Sequence, residues 1–348
     1  MAARGTLILL MRHLFSYIIT RLLLAIPMIF IMLTLIFVVL RIMPGDPVNA
    51  MLGGHASQKL IDQKKEELGL NKPIAVQYVN YLGQLAHLDL GDSMIFKQKV
   101  SQPIIEKLPA TIELTIFGLL VSLGIGIPMG AYAARRRRSG GDFGARLYAN
   151  IVYCIPVFWM GLMLQLIFGV WLGWFPIAGR TSPRLEVSTF SKTGFYILDT
   201  LRIGSIPAFG DVMWHLVLPA LTLGVVLSGI FVRLTRANML DVLKSDYILA
   251  ARARGIPERR VVYNHGLRNA LIPIVTMLGL QFSLLLAGAI LTESTFSWPG
   301  MGRLLLERIY LRDYPTIQGV IVVYTLFVSV MSLVVDLLYA VIDPRVKY

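Results

Sequence analysis

Charge and cysteine are both scarce in this sequence, and each scarcity argues against several classes of protein. Charged residues account for 15% of the 348 residues and hydrophobic residues for 56%, whereas about a quarter of a soluble domain is charged. This composition disfavours a disordered chain, a nucleic-acid-binding domain and a cytosolic enzyme, even though the net charge is +13. The single cysteine, Cys154, lies in an apolar run, which excludes a disulfide framework and a thiolate metal cluster. Of the classes considered, only an integral membrane protein agrees with this composition.

Catalytic and nucleotide-binding motifs are also missing. The sequence contains no Gly-x-x-x-x-Gly-Lys-Ser/Thr, so this chain has no phosphate-binding loop of that kind. Ser93 follows Asp92 but does not lie in a Gly-x-Ser-x-Gly motif. The five histidines show no spacing typical of metal ligands: His13, His55, His87, His215 and His265. We therefore expect no enzyme activity, no catalytic residue, and no cofactor or metal bound by this chain.

Six runs without Asp, Glu, Lys or Arg are long enough to cross a bilayer, whose core of about 30 Å requires roughly 20 helical residues. They are Leu22–Leu40, Leu114–Ala134, Leu147–Gly179, Val212–Val232, Asn269–Thr292 and Tyr314–Val335. The first run is predicted to be a retained anchor rather than a secretory signal, because it is too long and no small-residue cleavage site follows it. The predicted fold class is therefore all-α, with six transmembrane helices.

The distribution of basic residues predicts the orientation. With a cytoplasmic N-terminus, the cytoplasmic segments contain 18 of the 33 Lys and Arg residues but only 6 of the 20 acids, as the positive-inside rule requires. The cluster Arg135–Arg138 is the strongest single marker, and contact with anionic lipid explains it without a further role. Both termini are thus predicted to be cytoplasmic, in a multi-pass protein of the cytoplasmic membrane.

We divide the chain into three parts. Residues 1–41 contain the N-terminal region and the first transmembrane helix, residues 42–112 form a small extracytoplasmic cap, and residues 113–348 form the permease core. Within the cap, periodicity and helix stop signals predict helices at Ser57–Leu70 and Val76–Leu88.

Three further features complete this division. The second outer segment, Arg180–Asp211, is rich in Ser, Thr, Gly and Pro and is predicted to be a loop. A short helix is expected from Arg303. In the second apolar run, Gly126 and Gly130 predict close packing against another helix of the same chain, with a contact between subunits as the alternative.

The loop 241–268, between the fourth and fifth runs, is predicted to contain a hairpin of two helices. The alanine-rich stretch Lys244–Arg254 favours a helix. Gly255 suits the left-handed position just after its end, and Pro257 suits the first turn of the next helix. The small residues Ala250 and Ala251 leave a low surface on which another protein can seat. A basic loop with incidental helicity is the alternative interpretation.

This hairpin resembles the EAA loop of ABC importer permeases, in which two alanines, three residues and a glycine begin the segment that docks on the ATP-binding subunit. Ala250, Ala251 and Gly255 match that pattern. Leu249 replaces the usual acidic residue, and Arg268 replaces a proline further on. These departures resemble the dipeptide/oligopeptide/nickel branch of the family.

Other signatures of that branch follow one another along nearly the whole chain. They are Arg41–Pro47, Leu68–Leu70 with Lys72-Pro73, Asp89–Ser93, Pro109–Leu114, Arg268–Pro273, Phe296–Gly300, Asp313–Pro315 and Asp343–Arg345. Each is weak alone, and all of them in order are specific. The second outer segment, with Thr193-Gly194-Phe195, is most similar to the B-type subunit of dipeptide permeases.

The resemblance implies the fold of a type I ABC importer transmembrane domain and a set of partners. These partners are a second homologous permease subunit in a heterodimer, two ATP-binding subunits that carry ATP and Mg, and an extracytoplasmic substrate-binding protein. It also implies the residues that couple this chain to an ATP-binding subunit: Asp246, Tyr247, Ala250, Ala251, Gly255, Ile256, Pro257, Glu258 and Arg259.

The leading hypothesis is a permease subunit that moves dipeptides or short oligopeptides across the membrane by alternating access. Nickel complexes and oligosaccharides are alternative substrates within the branch. An ion-coupled secondary transporter acting alone is a hypothesis of a different class, and it predicts acidic residues at the membrane midplane, which the six runs lack. Asp336, near the inner end of the sixth helix, is predicted to form a structural ion pair with Arg233 or Arg236, and proton coupling is the alternative role. Helix position makes Gln165, Gln281 and Glu293 candidates for the translocation path, and structural packing explains them equally well.

Overall fold

The computed structural model describes residues 23–24, 26–42, 48–49, 52, 56–67, 69–185 and 191–342, and this part of the chain is almost entirely helical. Its only β structure is an isolated bridge between Asp92 and Lys99, which confirms the all-α prediction for these residues. The helices are α1 (Ile26–Ile42), α2 (Gln58–Glu67), α3 (Ile74–Ala86), α4 (Ser101–Arg135), α5 (Gly140–Cys154), α6 (Val157–Trp171), α7 (Tyr196–Arg202), α8 (Ile206–Val242), α9 (Asp246–Ala253), α10 (Glu258–Ala270), α11 (Ile272–Gly288), α12 (Ile290–Thr295), α13 (Met301–Leu311) and α14 (Tyr314–Ile342).

Three of these helices are long and apolar enough to cross a membrane, namely α4, α8 and the Tyr314–Val334 part of α14. Two bent pairs also reach the required length when each is counted as one span, α5 with α6 and α10 with α11. Helix α1 is apolar and shorter, at 17 residues. Each of the six predicted runs therefore falls on a helix or on a bent pair, while the number of crossings and their direction stay predictions.

The third predicted run, Leu147–Gly179, is interrupted by a sharp bend that was not predicted. Helices α5 and α6 meet at 100°. The break lies at Ile155, whose backbone is extended with φ −79° and ψ 125°. Pro156 follows it, and a proline disfavours the helical conformation of the preceding residue and supplies no N–H to the helix.

The two longest helices, α4 and α8, pack against each other along small residues. A Cβ atom added to Gly126 would lie 2.4 Å from the Cβ of Phe231, and one added to Gly130 would lie 2.7 Å from the Val232 carbonyl oxygen. On α8, a Cβ atom added to Gly224 would likewise lie 2.4 Å from the Cβ of Val121 on α4. Only glycine permits this approach of the two backbones, so the predicted packing within the chain is confirmed.

The two ends of this helix pair carry different structures. We call the end with α2, α3, α7 and α13 the cap end, and the end with α9 and its following turn the hairpin end. The cap helices α2 and α3 lie within a few residues of their predicted bounds, and α13 begins at Met301 rather than Arg303. Phe37 of α1 packs on α3, with ring centroids 5.1 Å from Tyr78 and 5.6 Å from Tyr81.

The prediction of a loop across Arg180–Asp211 is wrong in part. This segment contains α7, and α8 begins at Ile206. The first turn of α7 is stabilised by a side chain from another helix, because the backbone N–H of Ile197 donates to Glu113 Oε1 at 3.0 Å. The Ser, Thr, Gly and Pro content of the segment favours a loop, and this contact from 84 residues away is not visible in local sequence.

At the hairpin end, the ion-pair partner of Arg236 differs from the predicted one. Arg236 was a predicted partner of Asp336, and it forms a bidentate pair with Asp142, with distances of 2.5 Å (Nε–Oδ1) and 2.9 Å (Nη2–Oδ2). Arg233, the other predicted partner, lies over the Tyr153 ring at 4.4 Å. The side chain of Asp336 lies outside the described residues.

Candidate functional site

The hairpin at the hairpin end is closed by a hydrogen-bonded turn. Gly255 has φ +74°, a left-handed conformation that favours glycine. Its N–H donates to the Arg252 carbonyl at 2.9 Å, and the N–H of Ile256 donates to the Ala251 carbonyl at 3.3 Å. These two bonds form the Schellman pattern that ends a helix. Pro257 immediately precedes α10, so the predicted helix, glycine stop and second helix are confirmed.

Side chains join the two arms of the hairpin across this turn. Arg252 and Glu258 form a bidentate pair, with Nη2–Oε1 at 2.8 Å and Nε–Oε2 at 3.1 Å. Nearer the bundle, Asn269 Nδ2 donates to the hydroxyl of Tyr247 at 2.6 Å. The hairpin is therefore held at its tip and at its base, and α9 and α10 are fixed relative to each other.

The predicted coupling residues lie mainly on the surface of this hairpin. Ala251 and Ile256 are half-buried, and the others are exposed: Asp246, Tyr247, Ala250, Gly255, Pro257, Glu258 and Arg259. Ile248, by contrast, is completely buried and anchors α9. The structure thus brings the predicted set together on one projecting element, which leaves their small and charged side chains accessible to a partner.

The base of the hairpin is connected to the two longest helices. An apolar cluster joins Val262 and Ala270 of α10 with Ala134 at the end of α4 and Met239 at the end of α8. All four side chains are at most 3% exposed. Because close-packed interiors transmit displacement, a movement of the hairpin displaces the ends of α4 and α8.

The predicted path residues are not gathered around one channel in this subunit. Gln165 Nε2 donates to the carbonyls of Ile177 at 2.6 Å and Thr295 at 3.0 Å, and so ties α6 to α12. Glu293 lies on the same short helix α12 and is fully buried, while Gln281 lies on α11 and is 6% exposed. A role for any of the three in the translocation path stays a prediction.

Glu293 belongs to a hydrogen-bonded cluster at the cap end, which we call the Glu293 cluster. Its Oε1 accepts from Thr111 Oγ1 at 2.6 Å, and its Oε2 accepts from the backbone N–H of Arg303 at 2.9 Å. Thr111 in turn accepts from the N–H of Met301 at 2.8 Å. The first turn of α13 is therefore fastened to α4 through Glu293. Burial raises the pKa of this carboxyl to about 7, although the hydrogen bonds from Thr111 and Arg303 oppose that rise.

A second cluster, the Glu113 cluster, was not predicted from the sequence. Arg180 Nη2 lies 2.5 Å from Glu113 Oε2, and both residues are only 5% exposed. The guanidinium also donates to the Gly194 carbonyl at 2.8 Å and covers the Tyr196 ring at 3.6 Å. Asp199, in the same outer segment, accepts hydrogen bonds from the backbone N–H groups of Thr193 and Lys192. Burial tends to raise the pKa of the Asp199 carboxyl, but these hydrogen bonds lower it overall.

A third cluster, the Asp313 cluster, joins the start of α14 to the segment before α4. Ser93 Oγ donates to Asp313 Oδ2 at 2.7 Å, and the N–H of Met94 donates to Oδ1 at 3.1 Å. Thr316 Oγ1 also donates to Oδ2, at 2.6 Å. Ser93, Thr111, Glu113 and Asp313 all lie in the signature stretches of the sequence, which is the signal that could have predicted these contacts.

The geometry defines a class of protein. Apolar helices of membrane-spanning length carry buried polar clusters at one end and, at the other, a rigid exposed hairpin connected to the longest helices. Within the described ranges, no group of three His, Cys, Asp or Glu side chains is placed to hold a metal ion. Such a bundle defines a multi-pass membrane protein with a rigid hairpin exposed at one end.

Comparison with known proteins gives the family. Residues 126–348 match the model of the binding-protein-dependent transport system inner membrane component, and residues 14–115 match its N-terminal model. The chain belongs to this family and is an inner-membrane permease subunit. Membership implies an ATPase and a substrate-binding protein as partners.

Curated relatives cover nearly the whole chain. The dipeptide transport system permease protein DppB of Alkalihalophilus pseudofirmus is 44% identical over 334 residues, which are 96% of this chain and 99% of that protein. The di/tripeptide transport system permease protein DppB of Pseudomonas aeruginosa is 41% identical over the same shares of both chains. The glutathione transport system permease protein GsiC of Pectobacterium atrosepticum is 37% identical over 333 residues, again 96% of this chain and 99% of that protein.

A solved structure shows the same fold. The MetNI methionine ABC transporter, in an inward-facing conformation, matches with a TM-score of 0.54 and 15% identity. The match covers 70% of this chain and 97% of the other. The type I importer fold expected from the sequence is therefore confirmed for the matching part of the chain.

Proposed function

We propose that this chain is one of two permease subunits of an ATP-driven importer of dipeptides or short oligopeptides. Two ATP-binding subunits, which carry ATP and Mg, supply the energy, and an extracytoplasmic binding protein delivers the peptide. The second permease subunit completes the translocation path, and this chain itself has no catalytic role.

The coupling hairpin is the observation that carries this proposal. Its turn is fixed by Gly255 and by the Arg252–Glu258 pair, its surface is exposed, and its base packs on the ends of α4 and α8. A partner that seats on Ala250 and moves on binding ATP displaces both long helices as one body. Close packing at Gly126 and Gly224 makes α4 and α8 move together, which suits a switch between two packed arrangements.

The peptide substrate is supported by the relatives at 44% and 41% identity, whose names specify dipeptides and di/tripeptides. The glutathione permease, at 37% identity, transports a short peptide as well. The coupling residues expected from the sequence, from Asp246 to Arg259, form the docking surface in this proposal.

Dipeptide uptake by the full complex tests the proposal. In proteoliposomes that contain this chain with its partner subunits, we expect uptake of a labelled dipeptide only with ATP inside and binding protein outside. Gly255→Glu should reduce uptake more than tenfold, because any other residue is strained at φ +74° and the hairpin turn is altered.

Gly204→Glu is the matched control. Gly204 has φ +67° and, like Gly255, open space where a Cβ would be, but it lies at the cap end between α7 and α8. Both variants carry the same strain and charge, so normal uptake with Gly255→Glu would refute the coupling role. Uptake by this chain alone, driven by an ion gradient without ATP, would instead support the secondary transporter.

A further inference from the structure

The side of α5 that points away from the bundle is exposed and carries both apolar and polar side chains. On its inner side, α5 packs Ala149 and Val152 against α8, where a Cβ atom on Gly229 would lie 2.7 Å from the Ala149 carbonyl oxygen. The exposed residues of the outward side, at helical spacing, are Phe143, Leu147, Asn150, Ile151 and Cys154. Together with the exposed Arg233 of α8, they form a surface that we call the α5 face.

Contacts between neighbouring helices place Asn150 inside the apolar part of the bundle. Asn150 lies next to the contact of α5 with Gly229 on α8. Ser228, the residue before Gly229, lies against α4, since a Cβ atom on Gly126 would be 3.1 Å from the Ser228 carbonyl oxygen. The apolar run of α4 continues beyond Gly126 to Ala134, over about 12 Å of helix. Asn150 therefore lies at the depth of the hydrocarbon core.

Arg233 directs its guanidinium towards the same depth. Arg236, one turn further along α8, pairs with Asp142 in the first turn of α5. The Arg233 guanidinium lies instead 4.4 Å from the centre of the Tyr153 ring. Tyr153 follows Asp142 by about 16 Å of helix, so Arg233 extends away from the hairpin end. Arginines near the end of a transmembrane helix usually extend towards the interface, and Arg233 does the opposite.

Neither polar group has a partner among the residues that the structure describes. The Asn150 amide forms no hydrogen bond with them, and Arg233 forms no ion pair with them. Both side chains are exposed, so a neighbouring chain can reach them. Hydrocarbon tails neither donate nor accept hydrogen bonds, and polar residues inside a membrane almost always face other helices or water. The α5 face is therefore unsuited to contact with lipid tails.

Helix α1 shows the contrasting composition of a surface that suits lipid. All of its exposed residues are apolar, among them Ile31, Leu35 and Val38. The unpaired amide and guanidinium of the α5 face thus call for a protein neighbour. A water-soluble partner does not reach the depth of Asn150, which excludes the ATP-binding subunits and the binding protein. The neighbour is another membrane-spanning chain.

We propose that the α5 face is the surface on which this chain contacts the second permease subunit. A helix of that subunit supplies a carboxylate or amide oxygen to Arg233 and an amide or hydroxyl group to Asn150, and apolar side chains of both subunits pack around these bonds. Hydrogen bonds of this kind join helices within membranes. This inference rests on the proposed function, since it takes the second permease as the neighbour. It adds the position of the contact and the chemistry of the facing helix.

Photo-cross-linking in the assembled complex tests the contact directly. Benzoylphenylalanine is placed at Leu147, which is 47% exposed on the α5 face, and the complex with its partner subunits is irradiated in lipid nanodiscs. We expect a product that mass spectrometry identifies as this chain joined to the second permease. The same photoreactive residue at Ile31, 61% exposed on α1, should give lipid adducts only. Lipid adducts alone at Leu147, or a product with a second copy of this chain, would overturn the assignment.

Two substitutions test the polar groups themselves. Arg233→Glu should lower the fraction of complexes that retain the second permease in detergent by about tenfold, and Asn150→Leu by about threefold. The matched controls are Arg202→Glu on α7 and Asn80→Leu on α3, both of exposed residues at the cap end, and they should retain it like the wild type. If the α5 face met lipid, Asn150→Leu would leave retention unchanged or increase it, and that result would refute the contact.

The thiol of Cys154 distinguishes a protein contact from a water-filled path. Cys154 is the only cysteine of the chain, and it is exposed one turn after Asn150 on the α5 face. In the assembled complex we expect it to be protected from a charged, membrane-impermeant methanethiosulfonate reagent. Rapid modification would show that the α5 face lines water, and it would overturn the proposed contact.

Uptake separates this inference from the proposed function. If the complex imports a labelled dipeptide with ATP and binding protein, but Leu147 cross-links only to lipid, the contact surface is refuted and the importer stands. If the wild-type chain retains no second permease and no ATP-driven uptake is found, the proposed function itself fails.

Discussion

The cap end of the bundle and the hairpin at its other end use polar side chains in different ways. At the cap end, Glu113, Glu293 and Asp313 are each at most 5% exposed, and each accepts a hydrogen bond from a segment distant in the sequence. At the hairpin end, Arg252 and Glu258 are largely exposed, and their ion pair joins two arms of the same short element. The cap end is held together by its own chain, whereas the hairpin offers a preformed surface to a partner.

This difference has an energetic consequence. Removing one partner of a buried charged pair leaves the other charge uncompensated and costs several kcal/mol, whereas an exposed pair contributes about 1 kcal/mol or less. Substitutions at the cap end should therefore act on stability. Substitutions in the hairpin should act on transport and leave stability almost unchanged.

The largest effect on stability is expected at Arg180. Arg180→Ala leaves the Glu113 carboxylate buried without its cation, which should cost about 3–5 kcal/mol. The thermal unfolding temperature of the purified complex measures the loss. Arg184→Ala is the control, since Arg184 is exposed in the same outer segment. If both variants unfold at the same temperature, the Glu113 cluster does not stabilise the cap end.

A pH dependence should come from Glu293. Its pKa is about 7 in the folded protein, raised by burial from an ordinary value of 4.5, so the folded state binds a proton that the unfolded state releases. This contribution to stability is complete below about pH 4.5 and is lost as the pH rises through 7, by about 3 kcal/mol in total.

Unfolding temperatures measured between pH 4.5 and 8 check this dependence. Glu293→Gln should remove most of the decline with pH, whatever its effect on absolute stability. Glu307→Gln, in an exposed pair with Arg303 on α13, should keep the wild-type profile. A Glu293→Gln profile parallel to the wild type would show that Glu293 does not titrate in this range.

A smaller loss is expected from Thr111→Val. This change removes the acceptor for the Met301 N–H and the donor to Glu293, at a cost of about 2 kcal/mol. Thr222→Val is the matched control for Thr111→Val, because Thr222 is also fully buried but its hydroxyl donates to the Leu218 carbonyl of its own helix. It should cost less than about 1 kcal/mol. Chemical or thermal unfolding of the two variants side by side distinguishes a bond between helices from a bond within one.

The smallest effect on stability, with a clear effect on transport, is expected at Arg252. Arg252→Ala should change stability by less than about 1 kcal/mol and should reduce dipeptide uptake severalfold, because the hairpin tip loses its closing pair. The exchange Arg252→Glu with Glu258→Arg should restore uptake. Lys244→Ala, which removes an exposed pair with Asp241 just outside the hairpin, should leave uptake normal; equal losses would contradict a specific role for the tip.

The same two regions show how far the sequence alone can predict this protein. The hairpin depends on local signals, a glycine after an alanine-rich helix and a proline before the next, and its turn was predicted at Gly255 and Pro257. The cap-end clusters include contacts between residues that are 67 to 220 positions apart. No local pattern specifies such contacts, so α7 and the pairing of Glu113 with Arg180 were missed. The bend at Pro156 had a local signal, but the length of the apolar run favoured one continuous span.

Docking of an ATP-binding subunit on the hairpin is tested most directly by whether a complex that carries Ala250→Trp retains its ATP-binding subunits. Ala250 is exposed on the hairpin, so the indole should affect a docked partner and not the fold. We expect the ATP-binding subunits to be lost during purification, at an unchanged unfolding temperature of the permease. Ala86→Trp, exposed at the end of α3, should retain them. Full retention by Ala250→Trp would contradict docking on the hairpin.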